Sequence, residues 1–165
     1  MKKYNSTFYL FIIYLCLVIW ILLFKMSSLN DLRHLDVHRT INLIPFWIHI
    51  ETGINRSDII KNFMIFVPLG IYMMMLNGKF FKAVLYSAAI SVGFEILQFL
   101  FGIGITDIND VITNTAGAFA GIVFYSFLSL FFRRKEKLNR IFQVIASIFT
   151  FIFLVLIFVL FYFNR

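Results

Sequence analysis

Ionisable and amide side chains are sparse in this sequence, and one of them lies inside an apolar run. Glu95 falls within residues 84–101, about 9 Å before the end of that run at 1.5 Å per helical residue. A carboxyl group inside a membrane span is costly and is expected to face a cavity or a partner. Ser91, Glu95 and Gln98 have the i, i+4, i+7 spacing that places them on one helix face. Such a face suits proton transfer and hydrogen bonding to a polar ligand.

A second polar stretch covers residues 102–117. Thr106 or Asp107 can cap the N-terminus of the helix that follows, which would place a carboxylate at the positive end of the helix dipole. Capping accounts for one acidic residue. It does not account for Asp110 and Asn114, which are four residues apart and therefore share a helix face.

The face that carries Asp110 and Asn114 continues into Gly117 and Gly121. Two glycines with this spacing allow two membrane helices to approach closely. We therefore expect this face to press against a neighbouring helix, and the helix of Glu95 is the first candidate for that partner.

The long connection of residues 25–58 adds further polar groups. Arg33 and Arg39 have the chemistry to clamp an anionic phosphate, and their alternative role is to pair with nearby loop carboxylates. The set of ligand-binding candidates combines amides and loop cations, namely Asn42, Asn62, Gln98, Asn114, Arg33, Arg39 and His38.

The catalytic candidates are the carboxylates Glu95, Asp107 and Asp110. In this hypothesis Glu95 carries a proton and Asp110 acts as an ion or a base. The competing structural interpretation is that Glu95 is protonated and that these polar groups only lock the second, third and fourth helices together. A proton-coupled transporter is a third alternative, although the few spans and the absence of paired halves argue against it.

No metal or cofactor motif accompanies these residues. The sequence has no HExxH motif and a single cysteine, Cys16, so neither a cysteine cluster nor an intramolecular disulfide can form. A hard divalent cation held by Glu95, Asp107 and Asp110 stays open as an alternative. No cofactor is predicted.

The elements that must position these groups are membrane helices. The chain has 165 residues, of which 61% are hydrophobic and 23 are Phe, well above the apolar share of a soluble domain. A span needs about 20 apolar residues. The sequence therefore predicts one all-α, polytopic membrane domain over residues 1–165 with five transmembrane helices, at about 8–24, 59–76, 84–101, 111–132 and 141–163.

The charge distribution predicts the orientation of these helices. The net charge is +7, and the basic residues flank apolar runs, where they meet lipid headgroups, so nucleic acid is not an expected partner. Residues 133–140 form a dense basic loop, which predicts an N-terminus inside and a C-terminus outside. Residues 25–58 and 102–110 would then share the outer face. No signal-peptide cleavage site follows the first run, so we expect that run to be retained as a span.

Three segments together resemble the VanZ-like family of membrane proteins. They are residues 42–46 (NLIPF), residues 62–70 (NFMIFVPLG), and residues 95–98 (EILQ) followed by 107–117 (DINDVITNTAG). The resemblance implies a bacterial plasma-membrane protein that lowers susceptibility to teicoplanin-type glycopeptide or lipoglycopeptide antibiotics. Combined with the polar face, it leads us to expect binding or modification of a lipid-linked or cell-wall ligand at the outer face, with membrane lipids as the other partners.

Overall fold

The computed structural model describes residues 5–24, 41–44, 56–101 and 106–163. Within these ranges the chain forms five α-helices and two short strands. In chain order the elements are α1 (Asn5–Phe24), β1 (Ile41–Asn42), α2 (Arg56–Asn77), α3 (Phe80–Phe101), β2 (Thr106–Asp107), α4 (Ile108–Phe131) and α5 (Lys135–Phe163). The helical class is as predicted. The strand pair was not predicted.

Four helices are long and apolar enough to cross a membrane, over Ile59–Asn77, Phe80–Phe101, Ile108–Phe131 and Lys135–Val159. The apolar part of α1 covers Ser6–Ile21 and is shorter. This pattern makes the chain a membrane protein. The helices begin three to six residues before the predicted spans because hydropathy detects the apolar core and overlooks a first turn that contains polar or charged residues.

The closest helix contact joins α2 to α4. A Cβ atom on Gly117 would overlap the backbone carbonyl of Phe63, and one on Gly121 would overlap that of Val67. The prediction that the two glycines allow close packing is confirmed. The expected partner was wrong, because they approach α2 and not α3, the helix of Glu95.

The remaining helices pack around this α2–α4 pair. On α3, the ring of Phe94 meets Phe66 of α2 edge-on at 5.5 Å between centroids. The hydroxyl of Tyr14 on α1 donates to the backbone carbonyl of Ile65 on α2, at 2.8 Å.

Side chains of α1 and α5 also meet directly. Gln143 of α5 donates to the hydroxyl of Thr7 on α1 at 2.6 Å, and the rings of Trp20 and Phe153 pack edge-on further along the two helices. The two helices therefore run in parallel. Most side chains of α5 are exposed, as expected for a helix that faces lipid.

Candidate functional site

A pair of short parallel strands brings the long first connection to the start of α4. Ile41 pairs with Thr106 and Asn42 with Asp107. The side-chain amide of Asn42 donates to Oδ1 of Asp107 at 3.3 Å, and Oδ1 of Asn42 accepts from the backbone N–H of Ile44 at 3.1 Å. Two residues that lie far apart in sequence, both of them predicted site residues, are therefore in direct contact.

Asp107 is the N-cap of α4. Its backbone is extended, with φ −122° and ψ 128°, and its Oδ1 accepts from the backbone N–H of Asn109 at 2.9 Å. The side-chain amide of Asn109 donates to the same oxygen at 2.9 Å. Oδ1 therefore accepts one hydrogen bond from Asn42 and two from Asn109.

Glu95 is buried next to this cap, with 4% of its surface exposed. Its Oε2 accepts from the backbone N–H of Asp107 at 3.2 Å. One turn earlier on α3, the hydroxyl of Ser91 donates to the backbone carbonyl of Val111 at 3.4 Å. Glu95 thus points towards the start of α4 and away from lipid, which is the arrangement that its place on the Ser91 face predicted.

Four buried side-chain oxygens on α3, β2 and α4 have no hydrogen-bond partner among the described residues. Within the described part of the chain, no hydrogen bond reaches Oγ of Ser87, Oε1 of Gln98, Oγ1 of Thr106 or Oδ1 of Asn114. Leaving a buried polar atom unpaired costs about 1–3 kcal/mol, so such atoms are uncommon in folded proteins and call for an explanation.

These groups form what we call the polar seam, made of Ser87, Ser91, Glu95, Gln98, Thr106, Asp107 and Asn114. Gln98 and Thr106 lie within three residues of Glu95 and Asp107, at the end of the bundle where α3 ends and α4 begins. Asn114 and Ser87 lie about 10 and 12 Å further along α4 and α3, counted at 1.5 Å per residue. The seam therefore extends from that end into the bundle.

Two further predicted site residues flank the seam. Asn62 on α2 is 2% exposed, and Asp110 lies in the first turn of α4, where the helix dipole favours a carboxylate. Each has an interaction partner in the structure. The three loop candidates, Arg33, His38 and Arg39, lie outside the described residues.

The described ranges contain no group of three or more His, Cys, Asp or Glu side chains placed to hold a metal ion. Glu95, Asp107 and Asp110 therefore do not form such a group. Glu95 and Asp107 contact each other through a hydrogen bond from the backbone N–H of Asp107 to Oε2 of Glu95. This contact does not require a cation.

Sequence reasoning missed Ser87, the unpaired hydroxyl of Thr106 and the bonds from Asn109. Ser87 precedes Ser91 by four residues, so the helical spacing that linked Ser91 to Glu95 would have found it. The parallel pairing of β1 with β2 had no comparable signal, because two-residue strands leave no periodic pattern.

Together these features define a helical membrane protein with a buried polar seam at one end of its bundle. The chain belongs to the VanZ/LLP1 family, whose model matches residues 11–133 and so includes the whole seam. It is 41% identical over 133 residues to Protein VanZ of Enterococcus faecium, a match that covers 78% of each chain. No solved structure matches the chain.

Proposed function

We propose that this protein has a VanZ-like role in the bacterial plasma membrane and lowers susceptibility to teicoplanin-type antibiotics by binding or modifying a lipid-linked or cell-wall ligand at the polar seam. Family membership and the identity to Protein VanZ support the role. The observation that carries the site is the series of hydrogen bonds from Glu95 through Asp107 to Asn42, together with buried oxygens that have no partner in the part of the chain that the structure describes.

The chemistry of the seam defines the kind of ligand. The side-chain carbonyl oxygens of Gln98 and Asn114 act as hydrogen-bond acceptors, and the hydroxyls of Ser87 and Thr106 can either accept or donate. A ligand that satisfies them is rich in N–H and O–H groups. Peptide and sugar parts of cell-wall material have this character. Glu95 and Asp107 would supply the ionisable groups for any proton transfer.

A structural role is the second candidate, and a specific observation favours it. Glu95 and Ser91 each bond to the backbone at the start of α4, so both side chains fasten α3 to α4. In this alternative the seam stabilises the bundle and binds no ligand.

Thr106→Val separates these two roles, because valine keeps the shape and strand preference of threonine and removes the unpaired hydroxyl. We expect the variant to be at least as stable as the natural protein, since a buried group without a partner is removed. We also expect weaker protection against teicoplanin, with a ligand affinity reduced roughly 2- to 10-fold by the loss of one hydrogen bond.

Thr113→Val is the matched control, because the hydroxyl of Thr113 donates to the backbone carbonyl of Asp110 at 3.2 Å. It should lose a little stability and keep full protection. The measurements are the minimum inhibitory concentration in a susceptible host and thermal stability in detergent. Full protection by both variants would show that the hydroxyl of Thr106 does not bind the ligand.

The orientation belongs to the same proposal, with the N-terminus inside and the C-terminus outside across five membrane-spanning helices. Single cysteines introduced at exposed Ile44 and Arg134, in a Cys16→Ser background, test it. An impermeant maleimide should label Ile44→Cys in intact cells and Arg134→Cys after permeabilisation alone. The reverse labelling pattern would place the polar seam at the cytoplasmic face.

A further inference from the structure

A polar cavity of about 470 Å³ lies at the opposite end of the bundle from the polar seam. Its lining includes Thr7 near the start of α1, Asn77 at the end of α2, and Asn139 in the first turns of α5. Tyr125, six residues before the end of α4, donates to the side-chain oxygen of Asn139 at 2.5 Å. Since α4 begins at the seam, Tyr125 and this cavity belong to the other membrane face.

An apolar groove of about 380 Å³ adjoins this cavity. It lies between α1, α2 and α5, and Met75 lines both the groove and the cavity. Along α5 the groove side chains run from Phe142 to Phe153, among them Thr150. The two spaces together are polar at the membrane face and apolar inside the membrane.

The polar cavity carries an excess of positive charge. Among the described residues, two cations, Lys135 and Arg140, line it together with one carboxylate, Glu136. The first turn of α5 begins at Lys135, so the positive end of the dipole of a 29-residue helix adds to these two cations. An anionic group is the complementary occupant.

The length of the cavity and groove along α5 matches the thickness of one lipid leaflet. From Gln143, in the polar cavity, to Phe153, at the far end of the groove, α5 rises about 15 Å at 1.5 Å per residue. The hydrocarbon core of a bilayer is about 30 Å thick, so this rise equals roughly one leaflet. A free anion would fill the polar cavity and leave the groove without a role.

We propose that this cavity and groove form a binding site for an anionic phospholipid, whose phosphate headgroup lies near Lys135 and Arg140 and whose acyl chain lies between α1, α2 and α5. The site is separate from the polar seam and lies in the leaflet at the face where α5 begins. The lipid would bind mainly to α1, α2 and α5. Of these helices, α1 and α5 contribute none of the described seam residues.

Removal of the two cations tests the headgroup end. The full-length protein is reconstituted in nanodiscs that contain equal amounts of phosphatidylglycerol and phosphatidylcholine, and the lipid retained after extraction is identified by native mass spectrometry. We expect preferential retention of phosphatidylglycerol. Lys135→Gln with Arg140→Gln should reduce that retention about 25-fold, because each basic side chain near an anionic lipid contributes about fivefold to binding.

The control is Arg134→Gln with Lys137→Gln, which removes the same charge from the same segment at side chains that do not line the cavity. It should retain phosphatidylglycerol as the natural protein does. Equal loss in both double variants, or equal retention of both lipids by the natural protein, overturns the proposal.

The groove end is tested by Thr150→Phe, which fills the apolar space, with Ser147→Phe as the control at an exposed position one turn earlier. Thr150→Phe should lose the lipid and Ser147→Phe should keep it. Inorganic phosphate at millimolar concentration should leave the bound lipid in place. If phosphate displaces the lipid while Thr150→Phe retains it, the cavity binds a free anion and the lipid site is disproved.

Discussion

Replacement of Gly121 by alanine should strongly reduce the amount of folded protein. The added Cβ atom would overlap the backbone carbonyl of Val67, and a backbone group cannot turn aside as a flexible side chain can. α2 and α4 would have to move apart along their contact. Gly117→Ala should behave in the same way, because its Cβ atom would overlap the carbonyl of Phe63.

The size of this effect follows from two opposing contributions. Alanine is preferred over glycine in a helix by up to about 1 kcal/mol, whereas overpacking of a well-filled interface typically costs about 1–3 kcal/mol and occasionally more. Since the overlap here is with backbone, we expect the overpacking to dominate. The measurement is the melting temperature of the purified protein in detergent, together with its level in the membrane.

Gly93→Ala is the matched control, because nothing lies within 4 Å of the position that its Cβ atom would take. It should keep the natural stability or raise it slightly through the better helix propensity of alanine. If Gly121→Ala melts at the same temperature as Gly93→Ala, the tight approach of α2 to α4 is absent from the folded protein.

The contact between α2 and α4 also matters for the seam. Gly117 lies less than one turn beyond Asn114, and Phe63 directly follows Asn62. A separation of the helices at this level would displace both buried amides from their surroundings. The glycines therefore position the seam as well as stabilise the bundle, and their substitution should reduce protection even where some folded protein is recovered.

Hydropathy alone predicted the helical class and the approximate place of each helix. It missed the helix starts because a polar first turn, such as the one at Lys135, lowers mean hydropathy without weakening the helix. It also gave no information on which helices are neighbours. The glycines of α4 indicated a close approach, but they carry no signal for the identity of the partner, and the structure places α2 there.

The site was predictable to the extent that it depends on local spacing. The cap at Asp107 and the orientation of Glu95 follow from a capping preference and a helical period, and both are seen in the structure. The contact between Asn42 and Asp107 depends on a parallel pairing across a long connection. Such a pairing has no local cause in the sequence, so the contact between these two side chains could not be predicted and is seen only in the structure.

Replacement of Glu95 by glutamine should abolish protection against teicoplanin while the protein still accumulates in the membrane. Glutamine keeps an oxygen that can accept from the backbone N–H of Asp107, the bond that Oε2 makes at 3.2 Å, and it has nearly the same shape. The helix start should therefore stay in place. What is lost is the ionisable proton, and proton transfer is typically worth about 10²–10⁴ in rate.

Two companion variants, one test and one control, are needed to interpret the Glu95→Gln result. Asp110→Asn keeps the shape and most of the hydrogen-bonding capacity of Asp110, which lies in the first turn of α4 and has an interaction partner in the structure, so we expect a stability loss of only about 1 kcal/mol. It should lose protection as Glu95→Gln does if Asp110 acts as an ion or base. Glu136→Gln makes the same chemical change as Glu95→Gln at the opposite end of the bundle from the seam. Glu136 lines the proposed lipid cavity, but its removal leaves Lys135 and Arg140 in place for an anionic headgroup, so this variant should protect fully.

The outcome also decides between the two roles proposed for the seam. A structural lock needs the hydrogen bond from Asp107 and is indifferent to charge, so it predicts that Glu95→Gln protects normally at normal abundance. A site that transfers a proton or binds through an ionised Glu95 requires the carboxyl group itself and fails with glutamine. If Glu95→Gln and Asp110→Asn both accumulate at natural levels and both protect normally, these carboxylates have a structural role only. The proposed proton transfer or ion binding at the seam would then be wrong.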